Sequence, residues 1–507
     1  MTIAPFPLTP LLHTDDPYLD DIKALTAKLD AENLGYHLVD RYYTGNQPLS
    51  FMAPEVVAQI GDRLAPLVIN WPETIVDSVN RRVREEGFRL GQGATADDEL
   101  WRIWTANELD EESLLGNADA LVHGKVFLSV WGNPDDEETP SIAYESAHQV
   151  TCDYDPGGRS VRAAIKRWQD GPDTYLNLYL RGSVRKYVAR RNNSGLVAAR
   201  WDLREEPMVN PLGEVPIVPM VNRGRLLNRE GRSELASVAP IADGINKLAT
   251  DMMVTSEFHG SPRRHATGIQ IPAGPDKERT QAEAAKYWDQ ATKGKTWLAG
   301  PGVQFGQFPE ASLDGFVSAL RFLTSALAAI GGLPPEDLGL PTTNPASAEA
   351  RRAAETTLVL RAKEKFGPFG GARTRALRLA LAARDGIAVR DLDPVYKRMQ
   401  VAWADPATPA IAQAMDAAVK GVEAGIYDIE AAQALVGMSP VERAAVRARQ
   451  LESTAATATA DVRARMDQAR ALVASDGLTL NAAMAAVGLL QAAATNSAES
   501  ATSALGA

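Results

Sequence analysis

The stretch GRSELASVAPIADGINKLATDMMVTSEF, Gly231 to Phe258, most constrains what this chain can build, because its apolar residues recur at steps of three and four. Leu235, Val238, Ile241, Ile245, Leu248 and Met252 fall on one narrow face, and the spacing predicts a helix that would reach roughly 40 Å if unbroken. Ser233 is placed to cap its first turn. Pro240 has no amide to donate and predicts a kink or a restart, with a straight rod only from Ile241 onward. Ala236, Ala239, Ala242, Gly244 and Ala249 let neighbouring rods approach closely on more than one side. Such a stripe suits either a core helix of an ordinary globular domain or a rod that packs against a second one.

A second stretch of the same kind follows, Ser312 to Ile330, with Leu313, Phe316, Val317, Leu320, Leu323, Leu327 and Ile330 on one side. The two bracket an insert, His259 to Glu310. The insert opens with a basic turn, SPRRHATG, and continues through a short helix at Thr280 to Gln290 and strands at Thr296 to Ala299 and Val303 to Phe308. Its Trp288, Trp297, Phe305 and Phe308 either form a small core of their own or offer a packing surface to neighbours. After the second rod, glycines and prolines in GGLPPEDLGLPTTNPASAEA, Gly331 to Ala350, forbid regular structure. Two helices are then expected, Ser347 to Phe366 and Gly371 to Arg384, with a kink at FGPFGG.

The N-terminal third reads as helices at Tyr18 to Leu34, Pro54 to Leu64, Pro72 to Glu86 and Trp101 to Leu121. The period then changes. Lys125 to Trp131, Thr174 to Leu180, Ser183 to Arg190 and Leu196 to Leu203 alternate or are rich in β-branched and aromatic residues, as antiparallel strands are, and Pro134 to Pro140 is a polar loop between them. Val395 to Ala404 reads as a further strand. From Pro406 the composition turns to alanine-rich amphipathic helix, Pro409 to Ala424, Ile429 to Val436 and Pro440 to Leu451. IEAAQALVGM (Ile429 to Met438) and LNAAMAAVGL (Leu480 to Leu489) align without gaps and suggest a repeated helical unit, while NSAESATSALGA at the end has nothing to bury and is expected to be disordered.

At this point the chain resembles the portal proteins of tailed bacteriophages, particularly those of siphophages infecting actinobacteria. The resemblance is carried by NWPETIVDSVNRRVREEGFRLG (Asn70 to Gly91), by GRSEL with IADGINKLATDMMVTSEF, by LPPEDLG followed by NPASAEA, and by VAWADPATP (Val401 to Pro409). It implies an α+β, mainly helical portal fold with wing, stem, clip and crown, assembled as a ring, in all expectation a dodecamer. It divides the chain into an N-terminal wing (1–225), a first stem helix (226–259), a clip (260–310), a second stem helix (311–331), a tunnel loop (332–346), a kinked helix returning to the wing (347–404), a helical crown (405–475) and a C-terminal helix with a disordered tail (476–507). Leu235, Val238, Ile241, Ile245, Leu248, Met252, Leu313, Phe316, Leu320, Leu323 and Leu327 become the stem packing. Leu333, Pro334, Pro335, Glu336, Asp337, Leu338, Thr342, Thr343 and Asn344 become the tunnel loop facing DNA, with Gly331, Gly332 and Gly339 as its pivots, and Arg263 and Arg264 a clip surface.

The implied role is non-enzymatic: a channel at one capsid vertex through which a separate terminase packs double-stranded DNA and through which the DNA later leaves. The implied partners are further copies of the chain, the DNA, the terminase large subunit, a head-tail adaptor, and major capsid and scaffold proteins. The implied place is the virion, after assembly in the host cytoplasm. The alternatives are a DNA-processing enzyme such as a nuclease, with catalytic residues far apart in sequence, and a helical scaffold or adaptor without a channel.

Composition and motifs bear on these classes. Lys and Arg number 53 against 64 Asp and Glu, a net charge of −11. That argues against a protein that grips phosphates and suits a wall along which DNA slides, although it equally serves plain solubility. The lone Cys152 excludes an intrachain disulfide and a cysteine-cluster metal site. No apolar run of the ~18 residues that cross a bilayer is expected, and the first residues lack the pattern of a signal peptide. No cofactor is expected. DDEE at Asp135 to Glu138 lacks the spacing of a calcium loop and reads as a solvated turn. GKT at Gly294 to Thr296 has Asp289 where a phosphate-binding loop needs glycine. The six histidines, His13, His37, His123, His148, His259 and His265, show no ligand spacing, so zinc is not expected, and no GxSxG appears.

Overall fold

The computed structural model describes residues 11–12, 16–48, 67–91, 96–157, 160–190, 200–259, 264–267, 282, 302, 304–307, 312–340, 348–407, 411–438, 440–477 and 479–488. It separates into two compact units, Met1–Ala407 and Thr408–Ala507, and the division falls where the sequence turns alanine-rich.

In the first unit a short strand β1 (Leu11–Leu12) precedes helix α1 (Leu19–Tyr43), and α2 (Trp71–Asn80) starts with Pro72 in its first turn. Strand β2 (Glu85–Arg89) takes residues expected to continue that helix. The single helix expected over Trp101 to Leu121 is two, α3 (Asp98–Ala106) and α4 (Leu109–His123). The Asn107 side chain causes the break: its amide donates to the Pro140 carbonyl at 2.9 Å and its oxygen accepts from Ile142 N at 2.9 Å, so the chain turns there to meet a strand.

Strands β3 (Lys125–Trp131), β4 (Ser141–Glu145), β5 (Val150–Tyr154), β6 (Val161–Asp170), β7 (Asp173–Leu180), β8 (Ser183–Ala189), β9 (Arg200–Leu203), β10 (Met208–Val209) and β11 (Ile217–Val221) follow. One sheet has the order β1-β9-β8-β7-β6-β5 with β10 on β8, and a second has β11-β3-β4. Alternation explains the first: Ala163 and Ile165 of β6 and Leu176 and Leu178 of β7 point one way, and Ile22, Leu25 and Leu29 of α1 cover them.

Helix α5 (Ala239–His259), a hairpin of β12 (Arg264–Thr267) and β13 (Gln304–Gln307), and helix α6 (Asp314–Gly331) come next. The two helices expected afterwards are one, α7 (Ala348–Asp385), which runs through Pro368. Packing keeps it whole where local sequence would break it. Phe369 is fully buried, Phe366 stacks on Trp403 at 4.6 Å, and Gly370 leaves room for the Trp403 ring. Trp403 belongs to β14 (Gln400–Trp403), shorter than expected because Pro394–Arg398 forms a 3-10 turn, and β14 returns to pair with β2. The main core gathers α2, α3, α4, α7, β3 and β11.

The second unit holds α8 (Ile411–Glu423), α9 (Ile429–Leu435), α10 (Pro440–Asp476) and α11 (Leu480–Ala486). The two aligned segments are both short helices, with Ala432 and Ala483 buried at matching positions and each ended by a glycine at positive φ, Gly437 and Gly488. The expected helix at Pro54 to Leu64, the strand at Thr296 to Ala299, all but residue 282 of the helix at Thr280 to Gln290, and the C-terminal tail lie outside the described residues.

Candidate functional site

The two rods pack on each other. Leu235 lies in a 3-10 turn, Leu235–Ser237, and α5 restarts at Ala239, so Pro240 sits in a first helical turn where its missing amide is harmless. Ser233 caps that short turn, its Oγ accepting from Leu235 N at 3.0 Å. A Cβ on Gly244 would come within 3.3 Å of Leu323 Cδ1, so the glycine sets the close approach of α5 and α6. Leu235, Val238 and Ile245 are buried, while Ile241, Leu248 and Met252 are half-buried. Two polar ties fix α5 to the N-terminal region: Tyr42 donates to Asp243 Oδ2 at 2.7 Å, and Asn246 Oδ1 accepts from Ile69 N at 2.8 Å.

The second rod is covered on one side only. Leu327 is buried, Leu313, Phe316, Leu320 and Leu323 are half-buried, and Val317, Phe322 and Ile330 are 38%, 72% and 47% exposed. Contrary to expectation, α6 is long and apolar enough to cross a membrane by length and composition, with a mean hydropathy of 1.2.

The loop after α6 is more anchored than its glycines and prolines suggest. Pro335–Leu338 forms a 3-10 turn, and Leu333, Pro334 and Leu338 fold down around it onto the core. In the single chain these three are therefore anchors, packed onto the core. Pro335 and Asp337 are exposed and Glu336 half-buried, while Thr342, Thr343 and Asn344 lie outside the described residues. Gly331 and Gly332 are closely packed against neighbouring side chains. A Cβ on Gly331 would sit 3.1 Å from Ile75 Cδ1, and on Gly332, at φ +67°, 2.6 Å from Arg361 Cδ; Gly339, at φ +76°, has open space around it.

Beneath the loop lies a buried ionic joint. Glu234 accepts from Lys365 Nζ at 2.6 Å, from Arg361 Nη2 at 2.5 Å and from Asn222 Nδ2 at 3.2 Å, and pairs with Arg223 at 2.9 Å. Its side chain is fully buried, which alone would raise its pKa, yet Lys365 and Arg361 outweigh burial and hold it at about 2. Arg361 and Lys365 are one turn apart on α7, so the joint ties the start of the first rod to the helix that follows the loop. GRSEL acquires a physical reading here. Gly231, at φ +78°, is where the chain crosses Gly124, and a Cβ would lie 2.1 Å from the Gly124 carbonyl. Three residues on, the Glu234 amide donates to the Leu121 carbonyl at 2.9 Å, which delivers the carboxylate to α7.

The same helix is held further along by Arg373, wholly buried, which donates to Glu85 Oε2 at 2.9 Å, Asn117 Oδ1 at 2.9 Å and Tyr144 Oη at 3.1 Å. Sequence reasoning found none of these charged groups; the only signal was Arg361, Lys365 and Arg373 recurring on a helix face otherwise rich in leucine and alanine. Arg264 lies in β12 and not in a turn, because its segment pairs with β13; Arg263 is outside the described residues.

Comparison with known proteins places this architecture. The family model described as "Phage portal protein, SPP1 Gp6-like" matches residues 23–455. The chain is 34% identical over 390 residues to the portal protein of Mycobacterium phage L5, covering 75% of this chain and 78% of that protein. It is 33% identical over 419 residues to the portal protein of Mycobacterium phage D29, covering 80% and 83%. Among solved structures it is similar to chains of a native gene transfer agent virion (TM-score 0.43) and of the neck of an empty gene transfer agent particle (TM-score 0.45), each at 13% identity over 76% of this chain and 94% of the other.

Proposed function

The chain belongs to the SPP1 Gp6-like phage portal proteins, and from that premise we propose that its copies close into a ring, a dodecamer, whose lumen passes double-stranded DNA. The observation that carries the reading is the uncovered outer face of α6. An 18-residue helix with 22% of its residues buried and with Val317, Phe322 and Ile330 in solvent is poorly satisfied in a single chain, and a neighbouring copy's rods would complete it. On this reading the membrane-like hydropathy of α6 belongs to a subunit interface.

The finer assignments follow from the same premise. The hairpin β12–β13 and its surroundings form the clip, which docks the terminase large subunit during packaging and a head-tail adaptor afterwards. The loop from Pro335 through Asn344 faces the channel, where Glu336 and Asp337 make contact with DNA weakly repulsive. Capsid and scaffold proteins surround the ring, which is built in the host cytoplasm and remains in the virion.

Phe322→Asp tests the ring. Being exposed in the single chain, it leaves the fold unchanged by circular dichroism, while light scattering shows the large wild-type species replaced by smaller ones. Rings of undiminished mass in that variant would remove the α6 face from the interface. Leu248→Asp and Leu323→Asp impair assembly too, but both side chains are half-buried in the single chain, so those variants also disturb the fold. For the clip, replacing Arg263 and Arg264 by Glu spares the ring and weakens docking of terminase or adaptor; unchanged affinity for both partners overturns that assignment. For the loop, removal of Thr342 to Asn344 leaves rings intact and reduces DNA packaging or retention, and wild-type packaging by that variant counts against its place in the channel.

A further inference from the structure

Three histidines that sequence spacing kept apart meet around one carboxylate. His37 and Asp40 are three residues apart on one face of α1, His123 ends α4, and His148 lies between β4 and β5. Ligating atoms of His37, Asp40 and His148 lie within 4.8 Å of one another. Asp40 Oδ1 is 2.7 Å from His123 Nε2, and Asp40 Oδ2 is 2.7 Å from His148 Nε2.

Hydrogen bonding decides which nitrogen of His148 carries a proton. The Asn33 amide Nδ2 donates to the His148 carbonyl at 3.1 Å, and a carbonyl can only accept, so Asn33 Oδ1 is the atom that faces the ring. It stands 2.9 Å from Nδ1, which must therefore be the donor. In a neutral imidazole Nε2 is then a lone pair pointing at a carboxylate oxygen 2.7 Å away, an arrangement that needs a cation between the two: a second ring proton or a metal ion. His37 discriminates between them. It takes no part in the hydrogen bonds among the described residues, yet its ring stands 5.0 Å from that of His148, with a nitrogen turned into the same space.

We propose that His37, Asp40 Oδ2 and His148 Nε2 bind a divalent transition metal of the zinc class, with one position left for water. Two imidazoles and a carboxylate are the ligand set such ions favour over magnesium or calcium. The outer partners are in place: Asn33 orients His148, and His123, whose Nε2 donates to Asp40 Oδ1, orients the carboxylate. Bonds of about 2.0–2.1 Å in tetrahedral geometry need the Asp40 and His148 atoms to part by about 0.6 Å, within the reach of side-chain rotation. Asp40 and His148 side chains are 37% and 23% exposed, so an ion can enter. The ion would staple the N-terminal helix to the turn between β4 and β5.

The test uses the full-length chain, stripped with a chelator and titrated with Zn2+ in competition with a chromophoric chelator. One tight equivalent per chain is expected, and Co2+ in its place gives the visible bands of a four-coordinate ion. His37→Ala, which removes no hydrogen bond of the described structure, lowers affinity at least ~100-fold, while His123→Gln lowers it about 10–100-fold; His265→Ala leaves it unchanged. Absence of stoichiometric Zn2+ binding to the wild type would show that a proton fills the gap and overturn the proposal. So would undiminished binding by His37→Ala.

Discussion

The joint at Glu234 and the pair of rods that rises from it are built on opposite terms. At the joint, the charged groups are paired within one chain: buried Glu234 meets buried Lys365 and Arg361 and the half-buried Arg223, and the buried Arg373 is paired in the same way further along α7. On the second rod, Phe322 and Ile330 stand in solvent. The contrast says that the chain completes its own framework and leaves its rods incomplete, as a subunit does when its fold must exist before its assembly. Substitutions at the joint should therefore act on folding, and substitutions on the outer face of α6 on association.

The largest effect is expected from Glu234→Ala. It leaves three cations facing one another without their anion, and removing one partner of a buried pair costs about 3–5 kcal/mol. A urea midpoint measured on unassembled chain should fall accordingly, while Phe322→Asp leaves that midpoint in place and removes the rings. Equal loss of chain stability in both variants would erase the distinction between framework and interface.

Acid probes the same joint without a mutation. Glu234 in the fold titrates at about 2, against 4.5 for an ordinary glutamate, so its folded pKa is depressed. Its contribution is fully present above pH 4.5 and is lost as pH falls from there toward 2. The urea midpoint should drop between pH 5 and pH 3, and the drop should be smaller in Glu234→Gln. A parallel pH dependence in the two proteins would show that other carboxylates control the acid limit.

What the sequence disclosed follows the same division. The rods were legible because burial on one face writes a period of three to four, and β3 was legible to its ends because Lys125 to Trp131 is a short run rich in β-branched and aromatic residues. The ionic joint was not. Its partners lie 127 and 131 residues apart, and nothing local marks a glutamate in GRSEL as the counter-ion of a distant helix. The unity of α7 was hidden too, since FGPFGG is a breaker by composition and the packing that overrides it comes from distant elements, with Phe369 buried in the core and Trp403 brought back by β14. The meeting of His37, His123 and His148 at Asp40 was not legible either, because spacing within a segment does not show a group whose members come from separate elements.

The smallest effects divide the loop itself into an anchored end and a free one. Gly332 and Gly339 both hold positive φ, so alanine at either position meets backbone strain of about 1–2 kcal/mol. At Gly339 nothing else lies within 4 Å, and the cost should stop there. At Gly332 the new methyl would sit 2.6 Å from Arg361 Cδ, and Arg361 cannot swing aside without leaving Glu234. The expected cost is then about 3 kcal/mol, strain plus displaced packing. Urea midpoints of the two variants, measured side by side, should separate by more than the error of the method. Equal midpoints would mean that the loop yields at both glycines and that the joint exerts no hold on it.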